Sequence, residues 1–81
     1  MNASIIRKLA LAHPATDLEA ATNALGQDEH PKIQVDGTDD AERLSHATLA
    51  LRIRRRMDLG IDAKTAFRTT LSDVRQLLTH D

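Results

Sequence analysis

The chain has 81 residues, with 11 Lys and Arg against 12 Asp and Glu for a formal net charge of −1, and 41% of its residues are hydrophobic. This length predicts a single domain over residues 1–81, and the near-neutral charge disfavours a protein that binds nucleic acid non-specifically. Because the chain has no cysteine, it has no disulfide, no thiolate metal site and no thiol nucleophile.

The first two predicted elements are short helices, over about residues 4–12 and 16–25. Apolar residues recur at helical spacing along one side of each segment, and Pro14 lies between the segments. Thr16 and Glu19 have the spacing of a capping box, which predicts the start of the second helix. Gly26 follows that helix, where a left-handed residue commonly ends one.

An extended segment is predicted at residues 32–36, where apolar Ile33 and Val35 alternate with polar residues. No second strand is predicted in the chain, so the segment has no strand of its own to pair with. Two interpretations follow: either it is an extended linker, or it pairs with its own copy across a symmetric dimer.

A long helix is predicted over about residues 39–58, because Thr38, Asp39 and Asp40 provide a cap and negative charge at its start. It carries two apolar rows separated by nearly half a turn, so one neighbouring helix cannot cover both. Either the other helices cover the two rows, or one row forms a dimer seam. The rows are Leu44-Ala47-Leu51 and Leu49-Ile53-Met57.

The last predicted helix covers about residues 63–78, with Asp62 as its cap. It has the clearest amphipathic pattern, which predicts that it packs on the long helix. The residues expected to face inward are Ala66, Phe67, Leu71, Val74, Leu77 and Leu78. The fold class is therefore predicted to be all-α, a small bundle of about four helices.

Glu42 and His46 lie four residues apart on one face of the long helix, so their side chains can meet. The spacing suits a glutamate that orients a buried histidine, two ligands of a divalent metal, or a site for a small molecule or partner. A metal site needs at least one more ligand, and the linker residues that could supply one are Glu29, His30, Asp36 and Asp39.

Arg52, Arg54, Arg55 and Arg56 form a basic cluster near the end of the long helix. The candidate patch for phosphate contacts is Arg52, Arg55 and Arg56. No aromatic residue accompanies them to stack a base, and consecutive residues of a helix point in different directions. A solvated helix end is therefore favoured over nucleic-acid binding.

No catalytic residues are predicted. Ser45 precedes His46 directly, and adjacent helical side chains point about 100° apart, so the histidine cannot activate the serine. No apolar segment approaches the roughly 20 residues that cross a bilayer, and Arg7 and Lys8 interrupt the N-terminal apolar run. We expect a soluble, cytoplasmic protein without a membrane segment or a signal peptide.

The sequence resembles a family of short, uncharacterised bacterial proteins over nearly its whole length. The shared positions are Pro31, Ile33, Val35, Gly37, Glu42, Leu44, His46, Met57 and the pair Val74-Arg75. The chain departs from that pattern at Ser45, where threonine is usual, at Ala41, where glycine is usual, and in its arginine-rich segment. The resemblance supports the fold, directs attention to Glu42 and His46, and weakens the nucleic-acid hypothesis, but it implies no activity.

The leading hypothesis is a non-enzymatic protein-interaction module that forms a homodimer and also binds a protein partner not yet identified. The alternatives are divalent-metal or small-ligand binding at Glu42 and His46, and nucleic-acid binding through the arginine patch. No cofactor and no complete metal site are predicted. The candidate dimer interface comprises Ile33, Val35, Leu49, Ile53 and Met57.

Overall fold

The structure is a computed structural model that describes the backbone of residues 1–79 and the side chains of residues 1–75. It confirms the predicted all-α bundle, and each helix begins and ends within one residue of the predicted bounds. The described residues contain no β-strand. The four helices are α1 (Ala3–Ala12), α2 (Ala15–Gly26), α3 (Asp40–Asp58) and α4 (Ala63–Thr79).

Helix α3 is the centre of the bundle, because α1, α2 and α4 each make their main contacts with it. Two hydrogen bonds fix the direction of α1. Asn2 bonds to His46 and Ala10 bonds to Arg54, and both pairs are 44 positions apart, so α1 and α3 run in the same direction. Most residues of the two apolar rows of α3 are covered within one chain. Leu49, Ala47, Leu51 and Ile53 are buried, and Leu44 and Met57 are partly buried against the core.

The segment between α2 and α3, hereafter the linker, contains the predicted extended residues 32–36 and forms no strand within this chain. Val35 is 6% exposed and belongs to the hydrophobic core, while Ile33 is partly buried against that core. Val35, Leu49 and Ile53 of the predicted dimer interface are thus packed inside a single chain, whereas Ile33 and Met57 are only partly buried. A dimer interface through these residues stays a prediction.

The predicted caps of α3 and α4 are confirmed. The Asp39 carboxylate accepts a hydrogen bond from the Glu42 N–H at 2.8 Å, and the Asp62 carboxylate accepts one from the Thr65 N–H at 3.2 Å. Both satisfy amides that have no partner inside the helix. Asn2 caps α1 in the same way and was not predicted.

The ends of α2 differ from the prediction. The helix begins at Ala15, with Pro14 at the N-cap position and no side-chain cap, so Thr16 is already helical and the capping box is wrong. At the other end Gly26 is still helical, and the left-handed residue is Asp28, with φ of 57°. The Glu29 N–H then reaches back to the Ala24 carbonyl at 2.8 Å, which completes a Schellman-type end.

A tight turn joins α3 to α4 and depends on Gly60, which has φ of 99°. Residues with a Cβ atom avoid this region, whereas glycine adopts it at little cost. The Gly60 N–H donates to the Met57 carbonyl at 2.9 Å, and the Ile61 N–H donates to the Arg56 carbonyl at 3.1 Å. The turn therefore ends α3 and starts α4 beside it.

Helix α4 packs on α3 through a face that is rotated from the predicted one. Ala66 and Thr70 are fully buried, whereas Phe67, Leu71 and Val74 are only partly buried. The predicted inward side chains of Leu77 and Leu78 lie outside the described side chains. The apolar stripe of α4 is thus left along the edges of its contact with α3.

Within the described residues, no helix is both long and apolar enough to span a membrane.

Candidate functional site

His46 is fully buried, and both of its ring nitrogens are hydrogen-bonded. Its Nε2 accepts from the Asn2 N–H at 3.0 Å, and its Nδ1 lies 2.7 Å from the Asp36 carbonyl oxygen. Because a backbone N–H can only donate and a carbonyl can only accept, these bonds require a neutral ring protonated at Nδ1. His46 therefore connects the start of α1 and the linker to α3.

Glu42 lies one turn before His46 and connects the same two segments. Its Oε1 accepts from the Thr38 N–H at 3.0 Å, and its Oε2 lies 3.2 Å from the Met1 ammonium group. The hydrogen bond from Thr38 is the largest cause that lowers the pKa of Glu42 below the usual 4.5, and the Met1 ammonium lowers it further. Glu42 and His46 share a helix face as predicted, but each bonds to other groups.

The geometry around Glu42 and His46 gives a metal ion little to bind. Within the residues that the structure describes, no three His, Asp or Glu side chains come together to hold one. A metal at His46 would displace the hydrogen bond to Asn2 or to Asp36. Among the predicted linker ligands, the Asp39 carboxylate caps α3 and the Asp36 carboxylate accepts from the Gln34 amide.

The arginines of α3 point to different elements. Arg54 bonds to the Asp58 carboxylate at 3.2 Å and to the Ala10 carbonyl at 3.4 Å, while Arg55 lies 3.4 Å from the Glu19 carboxylate on α2. Arg56 bonds to two residues of α4, the Thr70 hydroxyl at 2.8 Å and the Asp73 carboxylate at 2.7 Å. Only Arg52 of the predicted patch is exposed without a hydrogen bond among the described residues.

Among the described residues, two surface grooves flank α4, and neither is lined by Glu42 or His46. The first is a cavity of about 410 Å³ between α3 and α4, hereafter the α3–α4 groove. Its apolar lining consists of Met1, of Leu44 and Leu49 from α3, and of Val74 from α4. Thr48 also lines the groove, and Ser45 and Arg52 lie on its exposed rim.

The second cavity, of about 490 Å³, lies where Arg7 of α1 approaches α4, and we call it the basic groove. Phe67 and Leu71 supply its apolar part, and Ser72 supplies a hydroxyl group. This groove was not predicted from the sequence. The helical spacing of the charged residues on α4 was the available signal, but nothing in the sequence placed Arg7 beside them. The cationic residues of the groove are Arg7, Lys64, Arg68 and Arg75.

Comparison with known proteins identifies the family. The model of a protein family described as a family of unknown function (DUF6952) matches residues 1–78, so the chain belongs to that family. No curated protein and no solved structure matches the chain. As the resemblance predicted, the matched family is uncharacterised and the match extends over nearly the whole chain.

Proposed function

We propose that this member of the DUF6952 family is a non-enzymatic protein-interaction module that forms a homodimer through the α3–α4 groove. The observation that carries the proposal is the groove itself. Four of its seven lining residues are apolar, namely Met1, Leu44, Leu49 and Val74, and Leu44 and Val74 are only partly buried there. A second copy would remove this apolar surface from water, which is the main driving force of protein association.

The absence of an enzymatic role is supported by what the reactive groups contact. The hydroxyls of Thr22, Ser45 and Thr48 each donate to the carbonyl four residues earlier in their own helix. His46 is buried with both ring nitrogens occupied. A nucleophile needs a base within hydrogen-bond reach, and none of these hydroxyls is bonded to a histidine.

Self-association is favoured over binding of an unrelated helix by the architecture of the groove. The groove lies on a helical hairpin, and two such hairpins related by a twofold axis would pack as four helices. A partner would also add stability to the monomer, because the domain is small and its fully buried side chains include no Phe, Tyr or Trp among the described residues. We place this module in the cytoplasm.

Sedimentation equilibrium across micromolar concentrations tests the proposal. We expect a dimer for the natural chain and a monomer for Ser45→Arg, because Ser45 is exposed on the groove rim and an arginine there would block the second copy. The matched control is Leu11→Arg on α1, where the leucine is 50% exposed and lies outside the groove. This control should remain dimeric.

Two results would contradict the proposal. One is a natural chain that is monomeric over the whole concentration range. The other is a Leu11→Arg variant that dissociates as readily as Ser45→Arg, since that would place the interface on α1. Circular dichroism of each variant verifies that the helices are intact before the masses are compared.

A further inference from the structure

We propose that the basic groove between α1 and α4 binds an acidic amphipathic peptide segment of a partner protein. This inference does not depend on self-association, because the basic groove and the α3–α4 groove share no lining residue. A monomeric protein could bind such a peptide, and a dimer could fail to bind it. The two proposals can therefore fail separately.

The first argument is the charge of the groove. Among the residues that the structure describes, four cationic side chains line it and no carboxylate does. Arg7, Lys64 and Arg68 form no hydrogen bond or ion pair with the described residues, in contrast to the paired Arg54, Arg55 and Arg56 of α3. Since the whole chain carries a net charge of −1, this positive potential is local. A local excess of unpaired cations attracts a ligand with several negative charges.

One carboxylate of the described residues influences Lys64 and Arg68. Asp62 caps α4 by accepting from the Thr65 N–H, and its pKa is lowered most by a hydrogen bond with the Thr65 side chain. The charges of Lys64 and Arg68 lower that pKa further. A single carboxylate that is already hydrogen-bonded to Thr65 does not neutralise Arg7, Lys64 and Arg68, so the groove retains positive charge for a ligand.

The second argument is the apolar floor. Phe67 is partly buried against the core, and half-buried Leu71 lies one turn later on the same side of α4. The two side chains lie among the cations of a cavity of about 490 Å³, which is within the usual size of a binding site for a small ligand or a few residues. A ligand that fits both features has apolar side chains next to carboxylates, as in an acidic amphipathic peptide.

A nucleic acid is the competing ligand, and the groove suits it less well. Phosphates would use the cations, but a charged backbone gains nothing from Leu71, and a single phenylalanine can stack one base at most. The acidic residues elsewhere on the molecule would also repel a long polyanion. The peptide uses the cations and the apolar floor together.

The experiment follows the ring of Phe67 by NMR. Phe67 is the only Phe, Tyr or Trp of the chain, so its ring signals report on this groove without overlap from another such ring. The first probe is a short peptide with Glu and Leu at helical spacing. Two matched peptides replace every Glu by Gln or every Leu by Ser, and a single-stranded oligothymidylate of equal charge serves as the nucleic-acid probe.

We expect the Glu/Leu peptide to shift the Phe67 signals to saturation, with binding that weakens as salt is added. Arg68→Glu should weaken this binding at least about tenfold, because it removes one attraction and adds one repulsion. Lys64→Glu should act in the same direction. The matched control is Lys32→Glu, which reverses the charge of an exposed lysine outside both grooves and should leave the affinity within about twofold.

Several outcomes would overturn the inference. Equal affinity for the Gln peptide would remove the charge argument, and equal affinity for the Ser peptide would remove the apolar argument. Tighter binding of the oligothymidylate than of the Glu/Leu peptide would assign the groove to nucleic acid. The same loss of affinity in Lys32→Glu as in Arg68→Glu would place the ligand elsewhere, and no shift of the Phe67 signals at all would exclude binding in this groove.

Discussion

The Asn2 N–H donates to Nε2 of His46 at 3.0 Å, although 44 positions separate the two residues. The same imidazole donates through Nδ1 to the Asp36 carbonyl. One buried side chain therefore satisfies a donor at the start of α1 and an acceptor in the linker, and it fixes both on α3. This arrangement accounts for a fully buried polar residue in a bundle that is otherwise apolar at its centre.

His46→Ala should destabilise the fold by about 3 kcal/mol, because it leaves a cavity and removes the partner of two backbone groups. Urea unfolding followed by circular dichroism measures the effect. Ser45→Ala is the neighbouring control, and it should change the free energy of unfolding by less than about 0.5 kcal/mol, since Ser45 is exposed. A His46→Ala variant as stable as the control would contradict this structural role.

Glu42→Gln should lower stability at neutral pH and should lose that effect in acid. The pKa of Glu42 is depressed in the folded state, first by the hydrogen bond from Thr38. A depressed carboxylate pKa contributes stability above the unfolded value, which is lost as the pH falls through the folded value. The unfolding free energies of the two proteins should therefore converge below about pH 4.5. A difference that is constant with pH would contradict the prediction.

Gly37→Ala should destabilise the protein by about 1 to 2 kcal/mol. A Cβ atom at this position would lie 2.8 Å from Cγ of Arg43 and 3.0 Å from its backbone nitrogen. The matched control is Gly26→Ala in the last turn of α2, where the added carbon meets no atom within 4 Å. The control should be neutral or more stable by up to about 1 kcal/mol, because alanine favours the helix. Thermal unfolding of both variants provides the comparison, and equal midpoints would count against the close contact at Gly37.

Thr70→Val should cost about 1 to 2 kcal/mol, because valine keeps the shape of threonine but cannot accept the hydrogen bond from Arg56. Thr70 is fully buried, whereas its neighbour Thr69 is exposed. Thr69→Val is therefore the control, and urea unfolding should show a much smaller change for it. If both substitutions had the same effect, the Arg56 contact would not stabilise the packing of α4 on α3.

Much of the fold was predictable because local rules and tertiary packing agree. The long helix has an acidic cap at Asp39, two apolar rows and a glycine after its end, and the structure contains each of these features. The start of α2 was not predictable from a capping motif. The Thr16 pattern is present, but Pro14 already occupies the cap position and the helix begins one residue before the threonine.

The candidate site was less predictable, because contacts between distant segments decide it. Spacing placed Glu42 and His46 on one helix face, but no local pattern indicates that Thr38 and Asn2 would be their partners. The rotation of α4 was missed for a similar reason. Thr70 looks polar and exposed in the sequence, and its burial depends on an arginine 14 positions earlier.

The most direct test of homodimerisation through the α3–α4 groove is a distance between two copies. The chain has no cysteine, so Ala41→Cys and Ser72→Cys each provide one site for a spin label. Ala41 is exposed one turn before Ser45, beside the α3–α4 groove but outside its lining, and Ser72 is exposed in the basic groove. Double electron–electron resonance should give a short distance between copies for Ala41→Cys and a longer one for Ser72→Cys. No dipolar signal from Ala41→Cys, or a shorter distance from Ser72→Cys, would contradict dimerisation through the α3–α4 groove.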